Sequence, residues 1–324
     1  MRFHGIYAIH IEEYLKLKRN LGFKLRDAEY VFAMFDRLTV ERSERSIGIT
    51  KELSDVWCKK RPNEADGTKY DRVSKLSLFA RFLCDMGFPS YIPQIPRFKT
   101  SFTPYIFSKQ EIAAIFSACD QFVPERISPN AAYSMMPALI RLLYGTGLRS
   151  GEALALERKD IDLVGRQIII RQSKNGTERM VPISDPLADA LLRYKDKKAP
   201  GTDRSANNLF FVKKDHTPCG QHTVSGTFRK ILWRAGIPYG GKGIGPRLHD
   251  LRHTFACHAF AAMSESGLDL YNSLPILSTY LGHRALESTE KYVRLTVEMY
   301  PGVLNREKEV CAYVFPKPKK EGRL

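Results

Sequence analysis

The sequence contains no C-x-x-C pair: its six cysteines, Cys58, Cys84, Cys119, Cys219, Cys257 and Cys311, are scattered. That spacing suggests neither a zinc site nor a redox motif and fits buried thiols in a reducing compartment. Long apolar runs are missing too, and Glu12 and Glu13 fall within the first helical pattern, so neither a signal peptide nor a membrane span is expected. A cytosolic (cytoplasmic) protein is expected. No Asp/Glu cluster suits the Mg²⁺ ions of a two-metal nuclease; Asp250 stands alone between His249 and Leu251. Gly145, Gly147 and Gly151 depart from G-x-G-x-x-G and follow a helical run, which excludes a dinucleotide loop. No metal or other cofactor is therefore expected. Internal repeats are absent. Negative charge is short: 35 acidic side chains face 51 Lys and Arg, a formal net charge of +16. The basic residues run along the whole chain rather than forming one juxtamembrane block, which points to nucleic acid as the polyanionic partner.

The 324 residues suffice for two domains with separate cores. Apolar residues spaced mostly three or four apart over residues 8–39 predict two helices divided at Gly22. Thr50 is placed to cap a third helix to Arg61, and a fourth is expected from Tyr70 to Met86, ending at Gly87. Residues 1–88 thus read as an all-helical domain. Pro89, Pro93, Pro96 and Pro104 then mark a linker over residues 89–106. The second domain, residues 107–310, opens with a capping box at Ser108 and Glu111, with a helix to about Cys119. A helix is expected over Pro137–Tyr144. Two β-branched runs, Gln167–Gln172 and Glu178–Ile183, flank Lys174-Asn175-Gly176 and predict a hairpin. Helices are expected at residues 185–198, 222–235, 249–263, 274–281 and 286–296, with a short buried strand or turn at Leu209–Val212. Residues 311–324 read as a basic tail. The fold class is mostly α with a small β-hairpin or sheet: an α+β domain behind a helical one.

Three short segments carry chemistry. Gly145-Thr146-Gly147 permits a sharp turn that presents Arg149, with Glu152 one helical turn on to brace it. His249 and Arg252 share one face at a helix start, behind Gly240, Gly241, Gly243 and Gly245. His283 follows Leu281-Gly282 at a turn, and Tyr292 lies in the amphipathic stretch beyond it. Singly, each has a blander reading: a surface ion pair, a helix-terminal histidine, a core aromatic, and for Lys174 a solvated turn lysine. Together they supply what phosphodiester chemistry requires. Arg149 and Arg252 would clamp the non-bridging oxygens. Tyr292 would be the nucleophile, His249 its base and Lys174 the acid for the leaving oxygen.

Here the chain closely resembles the tyrosine recombinase, or phage integrase, family. The match rests on T-G-L-R-S-G-E-A-L-A-L at 146–156, L-H-D-L-R-H-T-F-A at 248–256, and L-G-H with S-T-E-K-Y at 281–292. It covers most of residues 107–300, and residues 1–88 look like the family's SAM-like core-binding bundle. The resemblance implies an active site of Arg149, Lys174, His249, Arg252, His283 and Tyr292. It implies attack by Tyr292 to give a 3′-phosphotyrosyl link and a free 5′-hydroxyl, without ATP or metal. It further implies a homotetramer on two double-stranded DNA duplexes, each chain closing as a two-domain clamp. The stretch between Arg252 and His283 is longer than usual for the family, with residues 263–278 as the altered part, and looks similar to transposon-associated members. A type IB topoisomerase would share the tyrosine chemistry, and a binding-only relative would keep the fold without cutting. The compact helical N-terminal domain and the six filled positions favour the recombinase.

Overall fold

The computed structural model describes residues 3–23, 25–97, 103–122, 132–171, 178–197, 208–241, 245–283 and 285–299. Lys174 with the hairpin tip, Gly243, Cys311 and the basic tail lie outside the described residues. The chain separates into two compact units, Met1–Phe102 and Thr103–Leu324.

Among its described residues the first unit holds four helices: α1 (Ala8–Asn20), α2 (Arg26–Glu41), α3 (Lys51–Cys58) and α4 (Asp66–Asp85). The break at Gly22 falls between α1 and α2. Thr50 caps α3, its hydroxyl accepting from the Leu53 amide at 3.1 Å. Helix α4 starts four residues before the expected Tyr70. Asp66 in its first turn complements the helix dipole and pairs with Lys60 at 2.6 Å. Tyr7, Phe32, Phe35, Trp57 and Phe79 form an aromatic core with several edge-to-face contacts. Arg72 is buried beside it, paired with Glu64 at 2.9 Å and donating to the Trp57 and Lys59 carbonyls.

The second unit opens with α5 (Lys109–Asp120), whose capping box forms as the sequence predicts, with bonds of 2.7 and 3.1 Å between Ser108 and Glu111. A short 3₁₀ turn leads into α6 (Met136–Thr146), with Pro137 in its first turn, and α7 (Ser150–Leu154) follows. Strands β1 (Ile161–Asp162), β2 (Gln167–Ile170) and β3 (Arg179–Pro182) make an antiparallel sheet in that order. In β2 and β3, Ile168 faces Val181 and Ile170 faces Arg179. Strand β1 is two residues long, too short to show a period in the sequence. Helix α8 (Asp185–Asp196) follows. Leu209–Val212 is not a strand of the sheet; its ends make isolated bridges, Leu209 to Glu157 and Val212 to Pro218, around buried Phe210 and Phe211.

Among the described residues four more helices follow: α9 (Gln221–Arg234), α10 (Asp250–Glu265), α11 (Leu270–Leu281) and α12 (Glu287–Met299). Helix α10 packs against α6, α11 and α12, and therefore buries residues around much of its circumference. Helix α11 begins four residues before the expected Leu274. Asp269 caps it by accepting from the Asn272 amide at 2.9 Å, and Pro275 is carried inside the helix at the loss of one backbone bond. The long stretch 263–278 thus comprises the end of α10, a turn at Gly267 and most of α11. No helix among the described residues is long and apolar enough to cross a membrane.

Candidate active site

The first wall of the site is the turn from α6 to α7. Gly147 caps α6 in the left-handed region at φ +61, and a Cβ there would strike the Phe255 ring and come within 2.8 Å of Leu281 Cδ2. Only glycine lets α6 approach α10 and α11 so closely. Arg149 begins α7, and its Nη1 donates to Glu152 Oε1 at 2.8 Å, the brace expected from the sequence. The other oxygen of buried Glu152 accepts from Arg179 Nη2 of β3 at 2.8 Å. Arg179 Nε in turn donates to the Tyr280 carbonyl at 3.0 Å, so one carboxylate ties α7, β3 and the end of α11 together.

Burial alone would raise the Glu152 carboxyl. Hydrogen bonds and charge from Arg179, with bonds from Arg149, instead hold it below its ordinary value. A group whose folded pKa is depressed contributes stability that is full at neutral pH and is lost as pH falls through the folded value. Glu152→Gln is therefore expected to lower unfolding stability by about 3 kcal/mol at pH 7, because it leaves two guanidinium groups facing a neutral amide. The gap to the parent should narrow on acidification, as the parent's carboxylate protonates. Denaturant unfolding at pH 7 and at acid pH checks this; a gap that widens on acidification would refute it.

Helix α10 supplies the second wall. His249 stands at its N-cap, and Arg252 one turn on is 3% exposed. Arg252 Nη1 donates to the Gly147 carbonyl at 2.7 Å; Nη2 donates to the Leu281 carbonyl at 2.9 Å and to His283 Nε2 at 2.8 Å. The forked guanidinium thus joins the ends of α6 and α11 to the site.

The third wall is the α11–α12 turn. Gly282 caps α11 at φ +68, and a Cβ there would come within 2.8 Å of the Arg179 guanidinium. His283 Nε2 accepts from Arg252, so its proton sits on Nδ1 and is donated to Thr289 Oγ1 at 2.7 Å. Tyr292 on α12 is 1% exposed, packed with Cys257, Phe260, Leu277 and Leu281. Its hydroxyl lies 2.8 Å from His253 Nδ1, in the field of the Arg252 guanidinium. The Tyr292 ring lies nearly parallel to His283, centroids 6.2 Å apart.

The electrostatics are those of an anion site. Arg149, Arg252 and Lys291 all act on His249 and His283. Burial first, and these cations after it, lower His249 and His283 to about 4 and His253 to about 3. All three imidazoles are therefore neutral at pH 7 and can accept a proton. Burial pushes the Tyr292 phenol up to about 12, while Arg252 and Arg149 pull it back.

Of the six residues singled out in the sequence, the structure brings Arg149, His249, Arg252, His283 and Tyr292 to one place, and Lys174 lies outside the described residues. The sequence reading gave His249 the role of base. Among the described residues the histidine bonded to Tyr292 is His253, and His249 stands against it, rings perpendicular with centroids 4.9 Å apart. Sequence reasoning passed over His253, Arg179, Thr289 and Lys291. For His253 a signal was present, since residues 249 and 253 are four apart and share a face of α10.

Residues 106–299 match the phage integrase family. A protein of Sinorhizobium fredii named as an integrase/recombinase, y4rB, is 29% identical, covering 91% of this chain and 95% of that one. The tyrosine recombinase XerC 2 of Ralstonia nicotianae is 26% identical over 78% of this chain and 72% of its own length. Among solved structures, the XerH site-specific recombinase bound to palindromic difH substrate, in its post-cleavage complex, has a TM-score of 0.61 at 19% identity, covering 87% of this chain and 78% of that one. The Tn1549 transposon integrase in complex with transposon right end DNA has a TM-score of 0.59 at 18% identity, covering 90% and 99%. At such identities the two structures speak for the fold, while the family match spans well over half of the chain. The chain belongs to the phage integrase family of tyrosine recombinases.

Proposed function

We propose that this chain cuts and rejoins double-stranded DNA at specific sites through a 3′-phosphotyrosyl link at Tyr292, in the movement of a mobile element. The observation that carries the assignment is the Tyr292 hydroxyl, bonded to a neutral histidine in the field of Arg252 and Arg149. Arg149 and Arg252 would hold the non-bridging oxygens of the scissile phosphate, with His249 and His283 beside them. Tyr292 would attack phosphorus, a histidine would take its proton, and Lys174 would protonate the leaving 5′-oxygen. The free 5′-hydroxyl of one duplex would then attack the phosphotyrosine of another, so that bond energy is conserved. Four chains on two duplexes, each with its two units closed on DNA, complete the reading. The net charge of +16 supports a DNA partner.

The test uses nicked duplexes drawn from DNA flanking the protein's own gene, with EDTA present. A denaturing gel should show a covalent adduct, and strand exchange should appear with a second duplex. Relaxation of supercoiled plasmid irrespective of sequence, without exchange, would favour a topoisomerase. Binding should weaken steeply from low to high salt, because Lys and Arg contacts to phosphate release counterions. Affinity indifferent to salt would count against a DNA partner.

A further inference from the structure

We propose that His253 is a catalytic residue, the group whose Nδ1 takes the proton of Tyr292 during cleavage and returns it during rejoining. The inference rests on the recombinase reading and assigns to His253 the proton transfer that the motif pattern gave to His249. Two features of the geometry carry it. His253 Nδ1 lies 2.8 Å from the Tyr292 hydroxyl, and both side chains are buried. In the tautomer that carries its proton on Nε2, the neutral His253 ring offers Nδ1 as an acceptor. The phenol proton then points at Nδ1, the hydrogen-bonded partner of that oxygen among the described residues. The T-shaped contact with His249 also braces the His253 ring.

The step balances. As the Tyr292 oxygen bonds to phosphorus, its proton passes to Nδ1 and the P–O5′ bond breaks. The departing 5′-oxygen takes a proton from the acid, leaving a 5′-hydroxyl and a protonated His253. Rejoining reverses each transfer. The groups facing His253 are His249, Lys291, Arg247, Arg252 and Tyr292. Its low basicity without DNA comes from burial and these cations, and an incoming phosphate anion offsets the cations and makes Nδ1 a stronger base.

The test is cleavage by His253→Asn on a nicked duplex whose leaving 5′-oxygen is replaced by sulfur, which needs no acid. Asparagine places its amide near the position of Nδ1, so it can keep the bond to Tyr292 while lacking basicity. Cleavage is expected to fall about 10²- to 10⁴-fold with DNA affinity unchanged. Between pH 6.5 and 8.5 the parent rate should be nearly flat. The variant's rate should rise about tenfold per pH unit, since its phenol must ionise unaided. His253→Gln should behave alike and guards against a folding defect peculiar to Asn. Cleavage at or above the parent rate would overturn the proposal, making the bond a mere restraint on Tyr292. A slow variant with the parent's pH profile would overturn it too, leaving His253 a structural part. A parent that forms no Tyr292 adduct would instead sink the recombinase reading itself, whereas a parent adduct matched by the variant removes His253 alone.

Discussion

Tyr292→Phe is expected to bind DNA as the parent does and to form no covalent adduct, a loss on the order of 10⁴-fold or more in cleavage. The ring belongs to the packing of the second unit: it is 1% exposed among Cys257, Phe260, Leu277 and Leu281, and phenylalanine fills the same space. What disappears is the oxygen bonded to His253. The stability cost should be small, about 1 kcal/mol, because His253 Nδ1 is left without its buried partner. Adduct formation on a denaturing gel, DNA binding and thermal melting separate the three effects. An undiminished adduct from the variant would move the nucleophile elsewhere, to Tyr280 or Tyr300.

Arg252→Lys keeps the charge and loses the fork. The guanidinium reaches three separate acceptors, the Gly147 and Leu281 carbonyls and His283 Nε2, and one ammonium cannot replace it at all of them. We expect unfolding stability to fall by roughly 2 to 4 kcal/mol, from buried acceptors left unsatisfied. Cleavage should fall about 10²- to 10³-fold, as for loss of one preorganised donor on a developing charge. Single-turnover cleavage of nicked DNA, measured well below the variant's melting temperature, distinguishes the two losses. A lysine variant that cleaves at the parent rate would show that the fork is not used on the phosphate.

Much of this was legible in the sequence where local chemistry decides the outcome. Thr50, the Ser108–Glu111 box and the turn at Gly147 act within a few residues, and each forms as read. The three segments around Arg149, Arg252 and Tyr292 were readable as one site because phosphate chemistry needs all their groups together. Long-range arrangement was not legible. Arg179 is a lone arginine in a strand pattern, and its partner carbonyl at Tyr280 is 101 residues away. The start of α11 was hidden because Pro275 signals a helix end, while the cap that fixes the start is Asp269. His253 was passed over because periodicity cannot tell which of two neighbouring histidines on α10 faces α12. Burial fits the core-aromatic reading of Tyr292, and its role as nucleophile is the proposal that the bond to His253 supports.

The most direct test of Tyr292 as nucleophile is to identify the residue that carries the DNA. The adduct trapped on a nicked duplex would be digested with protease and nuclease, and the nucleotide-bearing peptide sequenced by mass spectrometry. The account predicts a single modified peptide from α12, with a 3′-linked nucleotide on Tyr292. A nucleotide on any other residue, or one joined through its 5′ end, would contradict it.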